Sequence, residues 1–438
     1  MTVRGAPVAV LRAAKFVAAL CAIVGCGART PLELLEPAPD VAVADAPADR
    51  IDAPSDAPTP DARDVAAPDA VEPPIDAPIP TDGCVDCTRR PSVSAGASHS
   101  CTVTPDGDMY CWGHNQFGQL GDGTTTTRAI ARRVFPPERV FAISAGANFT
   151  CAIADDGLRS VLCWGTNNVG QLGVGPPLTQ FAMPTRVPLP PSAATIATGD
   201  NHVCVALTTG RVFCWGNNDQ GQLGSRPTPT FLFSALPLQI PGMAGALAVA
   251  AARNHSCALM RDGSVRCWGA NSSLQLGDGT AAIRDGFVTV VDLIDARQID
   301  AASNRTCVAT RGGQVRCWGR DGLSLDTPRP VAIALGTTIA QVDVGLGHQC
   351  ARTTTGRVLC WGDNTHGQLG DGTTSNRAAA TASVVELPSP AVDVSAGIAH
   401  SCAYLRDTSV WCWGYNLTFA TGAPAMTDQL RPWRVYGP

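Results

Sequence analysis

Residues 255–269, HSCALMRDGSVRCWG, decide the fold, because near copies of this stretch return along the whole second part of the chain. Each copy ends in Cys-Trp-Gly, with its tryptophan at position 112, 164, 215, 268, 318, 361 or 413. The steps between these tryptophans are 52, 51, 53, 50, 43 and 52 residues. A period of about 50 residues that contains several short strand signals is typical of a β-propeller, with one blade to each repeat. The sequence therefore predicts an all-β fold with seven blades.

Each repeat divides into four short strands. One strand ends in Ser-Ala-Gly, a second carries His-Ser-Cys, a turn leads to a third that carries Cys-Trp-Gly, and a loop of the pattern NxxGQLGDGT precedes the last. A single blade cannot bury both of its faces, whereas seven blades in a ring bury them against one another and leave no long sheet edge exposed.

The combination of SAGxxHSC with DGxVxCWGxNxxGQLGDGT resembles the repeat of the regulator of chromosome condensation (RCC1-like) β-propeller superfamily. The resemblance covers roughly residues 91–438 and implies a seven-bladed propeller. It also implies that residues 431–435, RPWRV, complete the first blade and so close the ring. Repeat five departs most from the pattern, since after Trp318 the sequence GRDGLSLDTP contains no Gly-Gln-Leu-Gly.

The first 25 residues are predicted to be an export signal, because three basic residues precede a short apolar run at residues 16–24. A run of this length is too short to span a bilayer. It leads into Ile-Val-Gly-Cys26, which resembles the lipobox of bacterial lipoproteins and implies lipidation of Cys26. No acidic residue follows Cys26, which by the same resemblance favours the outer membrane or cell surface. The alternative is an ordinary secretory signal with a chance cysteine.

Residues 26–90 are predicted to begin with the lipidated cysteine and continue as a disordered, acidic, proline-rich linker. Asp-Ala-Pro occurs four times, and residues 27–90 hold 14 acidic side chains against 5 arginines. Low hydrophobicity, frequent proline and like charges favour an extended stalk over a folded domain. A plain spacer without a binding role of its own is the simplest interpretation.

The repeat region carries no charge bias, with 23 acidic and 24 basic side chains over residues 91–438. This balance argues against nucleic acid as a partner and leaves the anchor at Cys26 as the predicted membrane contact. No nucleophile elbow, phosphate loop or catalytic dyad at recognisable spacing occurs, so we expect no cofactor and no catalytic residue. The recurring Gly-Asp-Gly-Thr lacks the alternating oxygen ligands of a calcium loop, and we expect no metal there.

The paired cysteines of each repeat are predicted to form disulfides. Cys101 and Cys111 flank Pro-Asp-Gly, and a three-residue loop with glycine in the left-handed region pairs position 104 with 108. Cys101 then lies opposite Cys111 with Cα atoms about 4.5 Å apart, which suits a disulfide. Zinc is the alternative, but its ligand pairs typically lie two to four residues apart. The same count predicts Cys151–Cys163, Cys204–Cys214, Cys257–Cys267, Cys307–Cys317, Cys350–Cys360 and Cys402–Cys412.

Two cysteines remain at the end of the linker, Cys84 and Cys87. Their spacing alone would fit a redox pair, but no βαβ pattern surrounds them. We therefore predict a local structural bridge between Cys84 and Cys87, which leaves no free thiol in the mature chain.

Strand parity predicts that the repeated aromatic and histidine side chains are structural. Trp268 lies opposite Ser256, so the tryptophans belong between blades and do not form a platform for sugars or bases. Histidine stands two residues before the first cysteine in five repeats, and Phe149 and Arg305 replace it in the other two. A catalytic histidine has no reason to recur at one repeat position. His114 and His366 lie in the variable loops, where contact with a ligand is easier.

These observations predict a surface-displayed, non-enzymatic binding module for a protein or an envelope polymer, which it contacts through loops that differ between repeats. The founding member of the superfamily is a guanine-nucleotide exchange factor, an activity that export and disulfides argue against here. One alternative is an envelope polysaccharide or peptide hydrolase or lyase, which off-repeat carboxylates in the central cleft would favour. Another is a purely structural envelope component. The candidate binding residues are Phe117, Phe181, Phe231, Phe233, Arg320, His366 and Tyr415.

The cysteine pattern gives a first prediction. Of 18 cysteines, Cys21 lies in the signal and Cys26 at the lipid site, so 16 remain for disulfides. We expect the denatured mature protein to react with no iodoacetamide before reduction and at 16 positions after it, as counted by mass spectrometry. Labelling of any repeat cysteine before reduction would contradict the pairing.

Overall fold

Seven four-stranded antiparallel sheets, each built from four consecutive strands, make up the part of the chain that the structure describes. This computed structural model describes residues 92–134, 138–320 and 326–437. The predicted signal, Cys26, the linker and the pair Cys84 and Cys87 lie outside these residues. Within them, no helix is long and apolar enough to cross a membrane.

The first four blades follow one another along the chain, each from its inner to its outer strand. Blade 1 contains β1 (Ser92–Ala95), β2 (His99–Val103), β3 (Met109–Gly113) and β4 (Arg128–Val134). Blade 2 contains β5 (Val140–Ala145), β6 (Phe149–Ala154), β7 (Val161–Gly165) and β8 (Phe181–Arg186). Blade 3 contains β9 (Ala193–Thr198), β10 (His202–Leu207), β11 (Val212–Asn217) and β12 (Phe233–Gln239). Blade 4 contains β13 (Ala246–Ala251), β14 (His255–Met260), β15 (Val265–Gly269) and β16 (Val288–Thr289).

The last three blades repeat the same order. Blade 5 contains β17 (Ala296–Ala302), β18 (Arg305–Thr310), β19 (Val315–Gly319) and β20 (Thr327–Ile333). Blade 6 contains β21 (Ile339–Val344), β22 (His348–Thr353), β23 (Val358–Gly362) and β24 (Ser383–Val385), with a short 3₁₀ helix at Ala379–Thr381. Blade 7 contains β25 (Ala391–Ala396), β26 (His400–Leu405), β27 (Val410–Gly414) and β28 (Gln429–Tyr436).

The expected closure of the ring by the C-terminal segment is wrong. β28 pairs with β27 and completes blade 7, because every repeat begins with its inner strand and blade 1 already has four strands of its own. The ring instead closes where β1 lies against β25. There the backbone N–H of Ala95 donates to Ser395 Oγ at 3.1 Å, and that of Val93 donates to Asp393 Oδ2 at 2.9 Å.

The hairpin of each blade has the predicted register, and its two cysteines form a disulfide. In blade 1 the N–H of Thr104 donates to the carbonyl of Asp108 at 2.9 Å, with Gly107 at φ +83°. Cys101 and Cys111 are therefore directly opposed, with Cα atoms 4.1 Å apart. The other six predicted pairs are bonded in the same way, including the longer hairpin of blade 2.

The tryptophans are buried between blades, and six of the seven donate a hydrogen bond to the preceding blade. Trp164 Nε1 donates at 2.9 Å to the carbonyl of Gln119, which belongs to the loop between β3 and β4. The corresponding bonds elsewhere are Trp215 to Gln171 (3.1 Å), Trp268 to Gln222 (2.9 Å), Trp318 to Gln275 (2.9 Å), Trp413 to Gln368 (2.8 Å) and Trp112 to Ala420 (2.9 Å).

The same loop carbonyl accepts a second hydrogen bond at five of these junctions. Thr306 Oγ1 donates to the carbonyl of Gln275 at 3.3 Å and lies 2.8 Å from His255 Nε2. Because the hydroxyl proton goes to the carbonyl, His255 donates from Nε2. We call this arrangement of histidine, hydroxyl, loop carbonyl and indole the inter-blade clamp. The other histidine and hydroxyl pairs are His99 with Thr150, His202 with Ser256, His348 with Ser401 and His400 with Ser100.

Burial keeps the clamp histidines neutral. The ring of His255 is fully buried, and desolvation lowers its pKa from 6.5 to about 3. The Nδ1 atoms of all five rings have no hydrogen-bond partner, which is consistent with a neutral imidazole that carries its proton on Nε2. The histidines are therefore structural, as the repeat pattern predicts.

Two junctions replace the clamp side chains. Between blades 2 and 3, Phe149 and Val203 stand where the others have histidine and hydroxyl, so an apolar contact replaces a polar one. Between blades 5 and 6, Arg305 and Gln349 occupy these positions.

The outer strands protect the edges of the sheets. A proline cannot donate a ladder hydrogen bond, and an edge strand that carries one is a poor template for pairing with another chain. β4 has no proline, but carries three arginines, and β16 is only two residues long. The prolines of the remaining outer strands are Pro184, Pro237, Pro328, Pro330 and Pro432.

The Phe149 and Val203 pair provides a template for testing the clamp. We expect His255→Phe and Thr306→Val each to lower the free energy of unfolding by about 1–3 kcal/mol, since each leaves a buried partner group without its hydrogen bond. The double variant should lose less than the sum, because both polar groups are then absent.

The double variant should also respond less to acid. A histidine whose folded pKa lies below its unfolded value contributes stability above pH 6.5 that is lost as the pH falls towards 3. Between pH 6.5 and 4 the double variant should therefore lose stability less steeply, by roughly 1.4 kcal/mol per pH unit. Guanidinium unfolding at pH 7 and pH 4 measures both effects, and parallel pH profiles would contradict a neutral His255.

Candidate binding face

One face of the ring carries two sets of loops. Because the strands are antiparallel, the turn after the inner strand and the loop after the third strand emerge at the same end of each blade. Backbone hydrogen bonds join the two sets, as from Asp363 N to the carbonyl of Gly347 (2.8 Å) and from Tyr415 N to that of Ala399 (2.9 Å). We call this end the loop-bearing face.

A buried asparagine organises each long loop on this face. Asn364 Oδ1 accepts the N–H of Leu369 at 2.9 Å, while its Nδ2 donates to the carbonyls of Thr373 and Ser375 at 3.0 and 3.1 Å. The loop is therefore held by its own centre, so the positions that vary between repeats are displayed on a fixed backbone. The asparagines at the same position are Asn115, Asn167, Asn218, Asn271 and Asn416.

Exposed apolar side chains gather on the loop-bearing face of blades 6 and 7. Leu346 is 50% exposed, Leu417 48% and Ile398 39%. The turns that hold Leu346 and Ile398 are adjacent, since Leu346 N donates to the carbonyl of Gly397 at 3.4 Å. Together with His366 and Tyr415, these residues form what we call the blade 6–7 patch. The corresponding turn residues of the other blades are small or charged: Ala97, Ala147, Asp200, Arg253 and Ser303.

His366 and Tyr415, two of the predicted contact residues, meet in this patch. Their rings are 5.1 Å apart and nearly perpendicular, and the His366 side chain is 41% exposed. His366 Nδ1 lies 2.8 Å from Asp428 Oδ2, and the other oxygen of Asp428 accepts the N–H of Asn416 at 3.1 Å. The carboxylate thus fixes the imidazole, and the pair presents aromatic surface with polar groups at its margin, a combination common at protein interfaces.

The other predicted contact residues lie apart from this patch. Phe117 contacts His114 on blade 1, with ring centroids 6.0 Å apart. Phe181 and Phe231 are half-buried and pack against the cores of their blades. Phe233 is exposed at the start of β12. Arg320 forms an ion pair with Asp326 at 3.0 Å. The structure therefore brings together two of the seven.

Leu346, Ile398, Leu417 and Asp428 escaped the sequence analysis. The signal for the first two lay in the aligned turns after Ser-Ala-Gly, where only blades 6 and 7 carry a large aliphatic residue. Asp428 could not be found from the repeat pattern, because its contact with His366 joins residues 62 positions apart.

Three carboxyl groups lie in the central channel, a cavity of about 370 Å³ lined by the inner strands. Asp300 Oδ2 accepts the N–H of Val344 at 2.7 Å, and Asp343 Oδ1 accepts that of Ala396 at 2.7 Å. Asp393 makes the equivalent bond to blade 1. Ser144 Oγ accepts the N–H of Thr198 at 3.0 Å from the position that corresponds to Asp300. The carboxyl groups thus join neighbouring blades as the serine does.

Burial makes these carboxyl groups weak acids. It raises the pKa of Asp300 to about 6 and, together with the charge of Asp300, raises the pKa of Asp343 well above its usual value. Burial also raises the pKa of Asp393. Among the residues that the structure describes, no group of three or more His, Cys, Asp or Glu is placed to hold a metal ion.

Comparison with family models identifies most of the repeat region. The RCC1-like domain model matches residues 71–324, and the RCC1 repeat model matches residues 339–368 and 355–404.

Two curated relatives share about a third of the aligned residues. The ultraviolet-B receptor UVR8 of Arabidopsis thaliana is 35% identical over 202 residues, which cover 43% of each chain. Protein pim1 of Schizosaccharomyces pombe is 30% identical over 223 residues, which cover 47% of this chain and 41% of that one. The matched segments thus span less than half the length of these relatives.

Solved structures confirm the seven-bladed propeller. Yeast RCC1 (Prp20), solved with Kap60, superposes with a TM-score of 0.65 at 20% identity and covers 75% of this chain and 84% of its own. Human WBSCR16 gives the same TM-score at 21% identity, over 73% of this chain and 88% of its own. Identities at this level carry the fold alone.

Asp300→Asn tests the role of the channel carboxyl groups. A buried carboxyl whose pKa is raised from 3.8 to about 6 contributes stability below pH 3.8 that is lost as the pH rises through 6. The asparagine still accepts a hydrogen bond but carries no charge. We expect the variant to be more stable than the natural protein at pH 8, by roughly 1–3 kcal/mol, and nearly equal to it at pH 4. Guanidinium unfolding at both values measures the difference, and a loss of stability at pH 8 would show that Asp300 is favoured as a carboxylate.

Proposed function

Because this chain belongs to the family of RCC1-like propeller domains, we propose that it is a non-enzymatic binding module that engages a protein or an envelope polymer through its loop-bearing face. The propeller supplies a fixed scaffold, with disulfides in all seven hairpins and the inter-blade clamp at five junctions. The loops supply the variation, and binding residues concentrate on such loops.

The blade 6–7 patch is the observation on which this proposal depends most. Soluble proteins rarely leave several large apolar side chains exposed side by side, and such patches commonly mark interaction sites. Tyrosine at the centre with a fixed imidazole beside it is a composition typical of residues that contribute strongly to binding. The charge balance of the repeat region favours a partner recognised by shape and apolar contact.

We also place the protein at the cell envelope, held by a lipid on Cys26 and displayed on the linker. The signal-like N-terminus supports export, and disulfides in every blade suit an oxidising compartment. An extended, proline-rich stretch of 64 residues could reach on the order of 200 Å.

An enzyme that acts in the central channel is the second candidate, because Asp300, Asp343 and Asp393 lie there. Each of these carboxyl groups already accepts a backbone N–H from the next blade, which favours a role in joining blades. Turnover of an envelope polysaccharide or peptide that Asp343→Asn abolishes, with the ring intact, would instead establish the enzyme.

Photo-crosslinking in the native cells tests the binding face directly. We expect benzoylphenylalanine in place of Tyr415 to give a discrete adduct on irradiation, because Tyr415 lies at the centre of the patch. The same group in place of Trp433, which is exposed on the outer strand β28, is the matched control and should give none. Leu346→Ala should weaken the adduct at position 415 several-fold, since truncation of an apolar contact commonly costs about 1 kcal/mol or more.

The pattern of adducts decides between the candidates. A partner joined at position 415 and identified by mass spectrometry supports the binding module. An adduct at position 433 alone would move the interface to the outer edge, and a crosslink between two copies of this chain would favour a structural envelope component.

A further inference from the structure

The junction between blades 5 and 6 lacks the loop that fills the other six. Nine positions separate Trp318 from the start of β20, whereas 16 to 22 separate the corresponding tryptophan from the outer strand in the other blades. The shortened sequence contains neither the asparagine that organises the loop nor Gln-Leu-Gly. Blade 5 therefore has no sequence that could offer Trp361 the loop carbonyl that the other tryptophans use.

A cavity of about 410 Å³ lies at this junction. Among the described residues, its walls include Arg305, Gln349, Trp361, Arg377 and Ala379. Arg377 forms an ion pair with Asp371 at 3.1 Å, so its charge is balanced within the wall. The cavity therefore combines an indole, a carboxamide and two guanidinium groups with small apolar side chains.

Trp361 is the tryptophan whose N–H is left over. Its side chain is 96% buried, yet Nε1 has no hydrogen-bond acceptor among the described residues, whereas the other six donate at 2.8–3.1 Å. A buried donor without an acceptor costs about 1–3 kcal/mol. The cavity in front of it is where an acceptor would lie.

Gln349 is the second polar group turned to the cavity without a partner. It is 2% exposed and stands where other junctions have the clamp hydroxyl, and its carboxamide makes no hydrogen bond to the described residues. Two buried polar side chains from neighbouring strands thus face one cavity, with a donor on Trp361 and both a donor and an acceptor on Gln349.

The other junctions show what fits such a site. At the junction of blades 4 and 5, the carbonyl of Gln275 accepts the Trp318 indole N–H, Leu276 is fully buried in the core beside Trp318, and Gly277 follows. A Cβ on Gly277 would lie 2.7 Å from Trp318 Nε1, so only glycine allows this approach. Carbonyl, aliphatic side chain and glycine recur in this order in five blades.

We propose that the cavity between blades 5 and 6 binds a peptide turn of the form Gln-Leu-Gly, supplied by another molecule. The carbonyl that precedes leucine accepts the Trp361 N–H, the leucine side chain fills the apolar part of the cavity, and glycine lies over the indole. Gln349 pairs with a further backbone group of the peptide. This site is separate from the blade 6–7 patch, and either one can fail without the other.

Indole NMR with a synthetic peptide tests the proposal. The protein is labelled with ¹⁵N at tryptophan, and acetyl-Gly-Gln-Leu-Gly-Asp-amide is added to millimolar concentration. We expect one indole resonance to shift saturably and to be the one missing from Trp361→Phe. A peptide with aspartate in place of leucine should bind at least about tenfold more weakly, because it loses the apolar contact.

A second measurement shows whether Trp361→Phe merely disturbs folding. Trp361→Phe and Trp318→Phe remove the same atoms, but only Trp318 donates to a loop carbonyl. Trp361→Phe should therefore have the higher melting temperature of the two and remain folded for the titration.

Three results would overturn the proposal. The first is that no indole resonance moves at millimolar peptide. The second is an equal response to the leucine and aspartate peptides. The third is that acetate or N-acetylglycine shifts the Trp361 resonance while the peptide amide does not, which would identify the cavity as a carboxylate site. Loss of the Tyr415 crosslink with the titration intact would separate failure of the proposed function from failure of this site.

Discussion

One backbone carbonyl in each long loop holds this ring together. It accepts the indole N–H of the next blade and, at five junctions, also a hydroxyl that is itself bonded to a histidine. An indole buried between two sheets must find an acceptor or lose the free energy of its hydration. The repeat meets this requirement with a loop that also carries the variable residues, so the contact that closes the core is the one that fixes the binding face.

The fold could be predicted because its determinants are local and repeated. The spacing of ten residues between cysteines fixes the register of a hairpin, and seven copies at a nearly constant period leave few alternatives to a propeller. The closure could not be predicted in the same way. Whether the last strand joins blade 7 or blade 1 depends on where the first repeat begins in space, and β28 belongs to blade 7.

The candidate site was less accessible to sequence reasoning. His366 and Tyr415 stood out because they differ from their counterparts, but their contact with Asp428 and the nearby Leu346 arises between blades and has no period along the chain. Phe181 and Phe231 differ from their counterparts too, yet they pack inward. A departure from the repeat therefore indicates where symmetry ends without telling whether the side chain faces solvent or core.

Breaks in the clamp follow the same logic with different outcomes. Phe149 and Val203 change together, and the junction stays closed because the loop carbonyl of Gln171 still receives Trp215. Arg305 and Gln349 also change together, but here the loop is shortened and the indole N–H of Trp361 is left without its carbonyl. The measurement that tests this account most directly is hydrogen exchange of the indole protons by NMR. It predicts slow exchange for the six clamped tryptophans and exchange at least tenfold faster at Trp361. Equal protection of all seven would contradict it.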